Sequence, residues 1–293
     1  MNFYTTILGS GAALPTGGRH CSAQMLNING FRLLIDCAEG TQLRMRECHQ
    51  RLQSVNTILI SHLHGDHCFG LPGLLSTLHL CGRTDELTIV CPTGLQEALD
   101  TLFSITGNHI DYHINYIELQ HTDGRVCCIE NKHCLVEAFP LVHTVPTYGF
   151  KITEKPRGKN RPRTYAYCCD TAFDPRIATY VEGVDLLCTE CTFANELASL
   201  AEQRLHLTAG QAATIATQAG VGQLLLTHIS ARYKDPSILL QQASQVYANT
   251  LIAADGDIVE VKTKNENSVP KRIDNENDEH GAEKNLLLKK EKV

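Results

Sequence analysis

The chain has 293 residues, of which 43% are hydrophobic and 20% are charged, a composition typical of a globular protein with a substantial core. Its net charge of −6, from 26 basic and 32 acidic residues, excludes a protein that binds nucleic acid through bulk positive charge. No stretch is apolar enough to span a membrane, and the amino terminus lacks the features of a signal peptide. We therefore expect a cytoplasmic protein whose thirteen cysteines act mostly as small core residues.

The first hundred residues alternate between predicted strands and helices. Residues 3–9 predict a strand that enters a glycine-rich turn, and Asn29-Gly30 suits the tight turn of a hairpin whose second strand ends at Asp36. The remaining elements of this part are predicted as a helix over 39–52, a strand over 55–64, a helix with leucines at 71, 74, 75 and 78, a strand over 87–92 and a helix over 94–103.

The pattern becomes strand-rich from about residue 114 and then alternates again. Strands are predicted over 114–120, 125–130, 134–145, 147–152, 164–171, 184–192, 223–230 and 257–262, and helices over 208–220 and 237–249. This mixed layout favours a single α/β domain over residues 1–261. The remaining residues, 262–293, are dominated by charged and amide side chains, so we expect a disordered tail.

The segment ISHLHGDH holds four metal-ligand residues within six positions, His62, His64, Asp66 and His67. Because side chains alternate along a strand, His62 and His64 are expected to point toward one metal ion. Gly65 would permit a sharp turn that directs the next two residues toward a second ion, and two-metal hydrolytic sites need such an arrangement. Imidazole and carboxylate ligands without a thiolate favour zinc, with manganese or cobalt possible in vitro.

Three further ligand-type residues follow predicted strands. His143, Asp170 and His228 each end an apolar run, and the carboxyl ends of such strands tend to meet at one edge of a sheet. Asp170 alone could simply cap a turn, but together with the histidine segment these residues complete a ligand set for two ions. Isolated histidines such as His20 and His79 are interpreted as ordinary surface residues.

Seven segments of the chain occur in the order found in the ribonuclease Z family of the metallo-β-lactamase superfamily, over about residues 3–235. They are LGSGAALPT, LLIDCAEGTQLR, SHLHGDHCFGLPGLLSTL, YAYCCDT, TECTF, HLTAGQAA and LLLTHISARY. The resemblance implies an α/β fold, the αβ/βα sandwich of two mixed β-sheets flanked by helices. It also implies two Zn²⁺ ions per subunit, a homodimer, no organic cofactor, and endonucleolytic removal of the 3′ trailer from precursor tRNA, leaving a 3′-hydroxyl and a 5′-phosphate.

The resemblance also assigns roles to individual residues. It implies that one zinc binds His62, His64 and His143, that the other binds Asp66, His67 and His228, and that Asp170 bridges the two. Asp66 would accept the proton of the attacking water. His206 would protonate the leaving oxygen, with Glu190 orienting it, although the sequence alone equally allows His206 to be a residue at a helix start. Asp36 would orient ligand histidines, or could be a turn residue at a strand end.

The chain departs from the family where a long tRNA-binding arm is usual. Only 26 residues separate His143 from Asp170, and a short basic loop over 151–164 stands in place of the arm. Such a loop could contact phosphates without reaching far. Thr189 and Ala38 also replace a histidine and a glycine that are usual in the family, but neither is a predicted ligand.

Two other functions stay open on the sequence. The reduced arm favours a dizinc phosphodiesterase or other ester hydrolase of the same superfamily that acts on a small substrate. A non-catalytic relative that binds metal or RNA is disfavoured, because every expected ligand and both residues of the acid pair are present.

Overall fold

Two mixed β-sheets form the middle of the fold in this computed structural model, which describes residues 2–120, 123–156, 158 and 161–264. Over those residues the strands are β1 (Phe3–Gly9), β2 (Gly11–Ala12), β3 (Ala23–Ile28), β4 (Phe31–Ile35), β5 (Thr57–Leu59), β6 (Leu87–Pro92), β7 (Ile114–Leu119), β8 (Val126–Glu130), β9 (Cys134–Leu141), β10 (Thr147–Glu154), β11 (Thr164–Cys168), β12 (Leu186–Glu190), β13 (Gln223–Thr227), β14 (Ile229–Ser230), β15 (Thr250–Ile252) and β16 (Ile258–Glu260).

Helices cover the outer faces of both sheets. They are α1 (Thr41–Glu47), α2 (Gly65–Cys68), α3 (Leu71–Leu80), α4 (Leu95–Thr106), α5 (Arg176–Tyr180), α6 (Ala198–Arg204), α7 (Ala209–Ala219) and α8 (Ser237–Val246), with 3₁₀ turns at Leu52–Ser54 and Asn195–Leu197. Within the described part of the chain, none of the helices combines the length and hydrophobicity that a membrane span requires.

The two sheets have the same mixed construction. The first runs in the order β16-β1-β3-β4-β5-β6-β7, with β4 to β7 parallel and the other pairs antiparallel. The second runs in the order β15-β13-β12-β11-β10-β9-β8, with β11, β12, β13 and β15 parallel and the rest antiparallel. Strand β16 pairs with β1, so the end of the described chain returns to the sheet where the chain began.

Three apolar clusters separate four layers. Side chains such as Phe3 and Phe150 fill the space between the two sheets. A second cluster, which includes Leu74, packs the first sheet against α1, α3 and α4, and a third, which includes Ile215, packs the second sheet against α5, α7 and α8. The predicted sandwich of two sheets flanked by helices is therefore confirmed.

The topology brings several strand ends to one edge. Strands β11, β12 and β13 are parallel, and β9 runs in their direction because β9 and β11 both pair antiparallel with β10. Residues that follow these strands therefore emerge at the same edge of the second sheet. The parallel strands β4 and β5 deliver Asp36 and the histidine segment from the first sheet.

The predicted basic loop over 151–164 is shorter than expected, because β10 extends through Glu154 and β11 starts at Thr164. The connection is therefore a hairpin loop of residues 155–163, of which Arg157, Lys159 and Asn160 lie outside the described residues. Arg163 donates from Nε to the buried Glu154 at 2.7 Å, and Arg161 pairs with Asp185. Two arginines of this basic loop are thus paired with carboxylates of the protein, Arg163 in a buried pair and Arg161 with half of its side chain exposed.

The body of the protein continues past the predicted domain end at residue 261. The side chain of Val261 is buried, and the backbone N–H of Lys264 donates to Asp185 Oδ1 at 3.1 Å. The rest of the predicted tail, residues 265–293, lies outside the described residues, so its predicted disorder stays a prediction.

Gly70→Ala tests a close backbone contact at the start of α3. A Cβ atom at Gly70 would lie 2.0 Å from the carbonyl oxygen of Ala38, which follows β4 and cannot move independently. We expect the substitution to lower the free energy of unfolding by about 1–3 kcal/mol or more. The matched control on the same helix is Gly73→Ala, where the nearest atom is the flexible Gln42 amide at 3.3 Å. That change should stabilise by up to about 1 kcal/mol. Equal urea-unfolding midpoints for both variants would show that the backbone at Gly70 tolerates a side chain.

Candidate metal centre

The predicted ligands converge at the edge where the strand ends meet. His143, Asp170 and His228 follow β9, β11 and β13 as expected. Strand β5 ends at Leu59, so the predicted strand over 55–64 extends too far, and His62 and His64 lie in an irregular segment beyond β5. Both side chains nevertheless belong to one group of possible ligands. The turn predicted at Gly65 is the start of the short helix α2, which carries Asp66 and His67.

The first metal position, as we define it, is surrounded by His62, His64, His143 and Asp170. One ligand atom of each lies within 4.8 Å of the others. His62 Nε2 is 3.1 Å from His64 Nδ1, and Asp170 Oδ2 is 3.9 Å from His62 Nε2 and 3.8 Å from His143 Nε2. Three imidazole nitrogens and one carboxylate oxygen are a donor set that suits zinc.

The second metal position lies on the other side of the same carboxylate. His67 Nε2 and His228 Nε2 are 3.3 Å apart, and Asp170 Oδ1 is 3.6 Å and 3.2 Å from them. Asp66 Oδ2 is 3.6 Å from His67 Nε2 and 3.5 Å from His228 Nε2, and it accepts from the backbone N–H of Ala13 at 2.9 Å. Asp170 therefore presents one oxygen to each position, which fits a bridging ligand.

Asp36 makes the contact that was expected of it. This wholly buried carboxylate accepts a hydrogen bond from His67 Nδ1 at 2.8 Å, from the hydroxyl of Tyr167 at 2.8 Å, and from the backbone N–H of Ser61 at 2.8 Å. With its Nδ1 proton held by Asp36, His67 keeps the Nε2 lone pair for a metal ion.

Two hydroxyl groups fix the tautomers of two other histidines. The Ser61 hydroxyl donates to Asp36 and lies 3.0 Å from His62 Nδ1, while the Thr192 hydroxyl donates to Glu190 and lies 3.0 Å from His228 Nδ1. Since each hydroxyl has one proton, which it gives to the carboxylate, it must accept the N–H of the imidazole. Nε2 of both histidines is therefore free to bind a metal.

The last two histidines of the first metal position, His143 and His64, are each held by a hydrogen bond to the nitrogen that faces away from that position. His143 Nδ1 donates to the carbonyl of Leu205 at 3.1 Å, so its Nε2 faces the first position. His64 uses its nitrogens the other way round, because Nε2 lies 3.3 Å from the Thr144 hydroxyl and Nδ1 faces His62. Each of the five histidines thus has one nitrogen hydrogen-bonded and the other directed at a metal position.

Without bound metal ions, the imidazole of His67 at the second metal position carries a proton that an ion would replace. Burial favours neutral His67, but the carboxylates of Asp170 and Asp36 outweigh it and raise the pKa of His67 to about 9. For Asp170, burial opposes ionisation, yet the imidazoles of His228 and His67 keep its pKa well below the usual range. A cation at the second position must displace the His67 proton, so metal affinity should fall as the pH decreases.

The predicted acid pair stands beside the ligands. Glu190 is wholly buried and accepts from the backbone N–H groups of Thr171 at 2.7 Å and Leu207 at 2.9 Å. His206 Nδ1 lies 3.0 Å from Glu190 Oε1 and 3.9 Å from Asp170 Oδ2. Burial disfavours the charged imidazole, but Glu190 raises the pKa of His206 to about 9. An imidazolium at neutral pH is suited to protonate a leaving group.

Sequence reasoning missed several residues of the site. Cys169 is absent from the predicted ligands, which include no thiolate, yet its Sγ lies within 4.8 Å of ligand atoms of His67, Asp170 and His228. Its burial raises the pKa of the thiol, which donates to Asp170 Oδ1 at 2.8 Å. Ser61 and Thr192 were also missed, although each lies one or two residues from a predicted site residue.

The comparisons with known proteins decide the family. A profile of the beta-lactamase superfamily domain matches residues 31–229. Ribonuclease Z of Bacteroides fragilis is 39% identical over 294 residues, an alignment that covers 86% of this chain and 96% of that protein. The chain belongs to the ribonuclease Z family. A second ribonuclease Z, from Phocaeicola vulgatus, is 37% identical and covers 86% of this chain and 95% of its own length.

The crystal structure of the human short-form tRNase Z has the same fold, with a TM-score of 0.75 and 28% identity over 88% of this chain and 99% of that chain. The alignment to the Bacteroides fragilis protein spans 294 positions, which is more than the number of residues in the 86% of this chain that it covers. That ribonuclease Z therefore carries residues without a counterpart in this chain.

Thr192→Val should weaken metal binding without disturbing the fold. The substitution keeps the shape of the side chain but removes the hydroxyl between His228 and Glu190, and losing a partner of this kind typically costs 10–100-fold in metal affinity. Thr189→Val is the matched control, because its hydroxyl donates only to the Cys168 carbonyl. Zinc affinity by chelator competition checks this; an unchanged affinity in Thr192→Val would contradict the assigned role.

Proposed function

We propose that this protein is a metal-dependent endoribonuclease that removes the 3′ trailer of precursor tRNA. One observation carries the proposal: the side chains of all seven predicted ligand residues lie close together beside the Glu190–His206 pair in a chain of the ribonuclease Z family. Its relatives named ribonuclease Z and the human tRNase Z support precursor tRNA as the substrate.

We propose two Zn²⁺ ions per subunit, with Mn²⁺ or Co²⁺ able to replace them in vitro. The ligands proposed for the first ion are His62, His64, His143 and Asp170, and those for the second are Asp66, His67, His228 and Asp170. Held at these positions, two cations would supply water of lowered pKa and positive charge against the phosphate oxygens.

The chain's own groups would handle the protons. Asp66 Oδ2 lies beside both histidines of the second position, so it is placed to accept a proton from the attacking water. His206, held through Nδ1 by Glu190, would donate its Nε2 proton to the ribose 3′ oxygen as that bond breaks. The products would be tRNA with a 3′-hydroxyl and a trailer with a 5′-phosphate.

We infer the cellular compartment from the free cysteines, and the oligomeric state from the family resemblance. All thirteen cysteines are free thiols, which suits a reducing compartment such as the cytoplasm. The resemblance further suggests a homodimer.

A second candidate function is hydrolysis of small phosphodiesters. The short hairpin loop over 155–163, together with the internal ion pairs of Arg161 and Arg163, favours it, because these features leave fewer cations for tRNA phosphates.

Two substrates separate the candidates: a precursor tRNA and bis-p-nitrophenyl phosphate, each with zinc. We expect cleavage of the tRNA at the trailer junction, and Asp66→Ala should reduce that rate by about 10²–10⁴-fold. Asp100→Ala, on the outer helix α4, is the control and should keep full activity.

Cleavage of the small diester alone would favour the second candidate. A protein that binds two metal ions and turns over neither substrate would overturn both.

The pH profile tests the acid pair. The contribution of protonated His206 to kcat is complete below its pKa of about 9 and is lost as the pH rises through that value. Glu190→Gln removes the negative charge that raises this pKa, so the alkaline limb of kcat should move to lower pH. The control Glu202→Gln changes an exposed carboxylate on α6 and should leave the limb in place. Identical profiles for both variants would rule out His206 as the acid.

A further inference from the structure

We propose that Cys169 provides a sulfur ligand to the second metal position, a donor outside the nitrogen and oxygen set inferred from the sequence. The proposal rests on the metal centre proposed above. It starts from geometry, because the Cys169 sulfur forms one compact group with ligand atoms of His67, Asp170 and His228, all within 4.8 Å of one another.

The spacing of this group matches a coordination shell. With Asp66, His67, His228, Asp170 and Cys169 the second metal position would have five protein ligands. Neighbouring ligand atoms around a five-coordinate zinc ion with bonds of about 2.0–2.3 Å lie roughly 2.8–4.0 Å apart. The three pairs among His67 Nε2, His228 Nε2 and Asp170 Oδ1 are 3.3, 3.6 and 3.2 Å apart. The sulfur lies 2.8 Å from Asp170 Oδ1, and a bound ion would replace that hydrogen bond and release the thiol proton to water.

Two residues that are adjacent in the sequence can both bind the same ion at this site. Asp66 and His67 are adjacent in the chain, and both already face the second position. Cys169 and Asp170 have the same relation just beyond the end of β11. The preceding Cys168 packs between the second sheet and its helices, whereas Cys169 packs between the two sheets. Of these two thiols, Cys169 belongs to the group of possible ligand atoms and Cys168 does not.

A sulfur donor would change which metals the site prefers. Thiolates favour zinc, cadmium and cobalt over manganese, which prefers oxygen ligands. We therefore expect the second position to discriminate against manganese more strongly than a site with only nitrogen and oxygen ligands.

The test is the absorption spectrum of the full chain loaded with Co²⁺. The wild type should show a thiolate-to-cobalt charge-transfer band in the near ultraviolet beside the weaker d–d bands. Cys169→Ser, which keeps the shape and a hydrogen-bond donor to Asp170, should lose that band. Cys168→Ser is the matched control and should retain it.

Metal competition gives a second readout. Cys169→Ser should weaken the second Zn²⁺ by about tenfold or more, while Mn²⁺ affinity changes much less. Circular dichroism verifies that each variant is folded.

Bound cobalt without a charge-transfer band in the wild type, or a band that persists in Cys169→Ser, would show that this thiol only fills the core, and would overturn the proposal alone. A wild-type protein that binds no cobalt would instead count against the metal centre itself.

Discussion

The site depends on the shared carboxylate of Asp170. This buried group directs Oδ2 toward His62 and His143 and Oδ1 toward His67 and His228, so it fixes the separation of the two metal positions. A buried charge among imidazoles is stable only with compensating cations or protons. Because its partners come from both sheets, the two sheets must bring their strand ends to one common edge, and the four-layer sandwich meets that requirement.

Buried carboxylates behind the ligand histidines orient them, and the same arrangement of carboxylate, hydroxyl and imidazole occurs at both metal positions. Ser61 links His62 to Asp36, and Thr192 links His228 to Glu190. Glu190 also holds His206, so one carboxylate serves both a metal ligand and the proposed acid. The orientation of the second metal position and the charge of the acid are thereby coupled through a single side chain.

The sequence predicted which candidate ligands come together and two of the carboxylates beside them, Asp36 and Glu190, but not the hydroxyl groups that link these carboxylates to the histidines. Candidate ligands could be located because His143, Asp170 and His228 follow strands whose ends meet at one edge of a sheet. The contacts of Thr192 and Cys169 depend on which loops meet in three dimensions, and no local spacing encodes that. Likewise, the partner of Arg163 is Glu154 on the adjacent strand, a pairing that follows from the hairpin between β10 and β11. The basic run in the sequence therefore did not show that Arg163 is held in a buried ion pair, or that Arg161 pairs with Asp185 while half of its side chain stays exposed.

The ion pairs of Arg161 and Arg163 affect how this protein would bind RNA. With a net charge of −6, the chain lacks a general attraction for phosphates, and Arg161 and Arg163 already have carboxylate partners. Phosphate contacts make nucleic-acid binding steeply dependent on salt, roughly in proportion to their number. Within the described residues, the side chains of Arg161 and Arg163 are each paired with a carboxylate of the protein, so a phosphate that binds to either one must compete with Asp185 or Glu154.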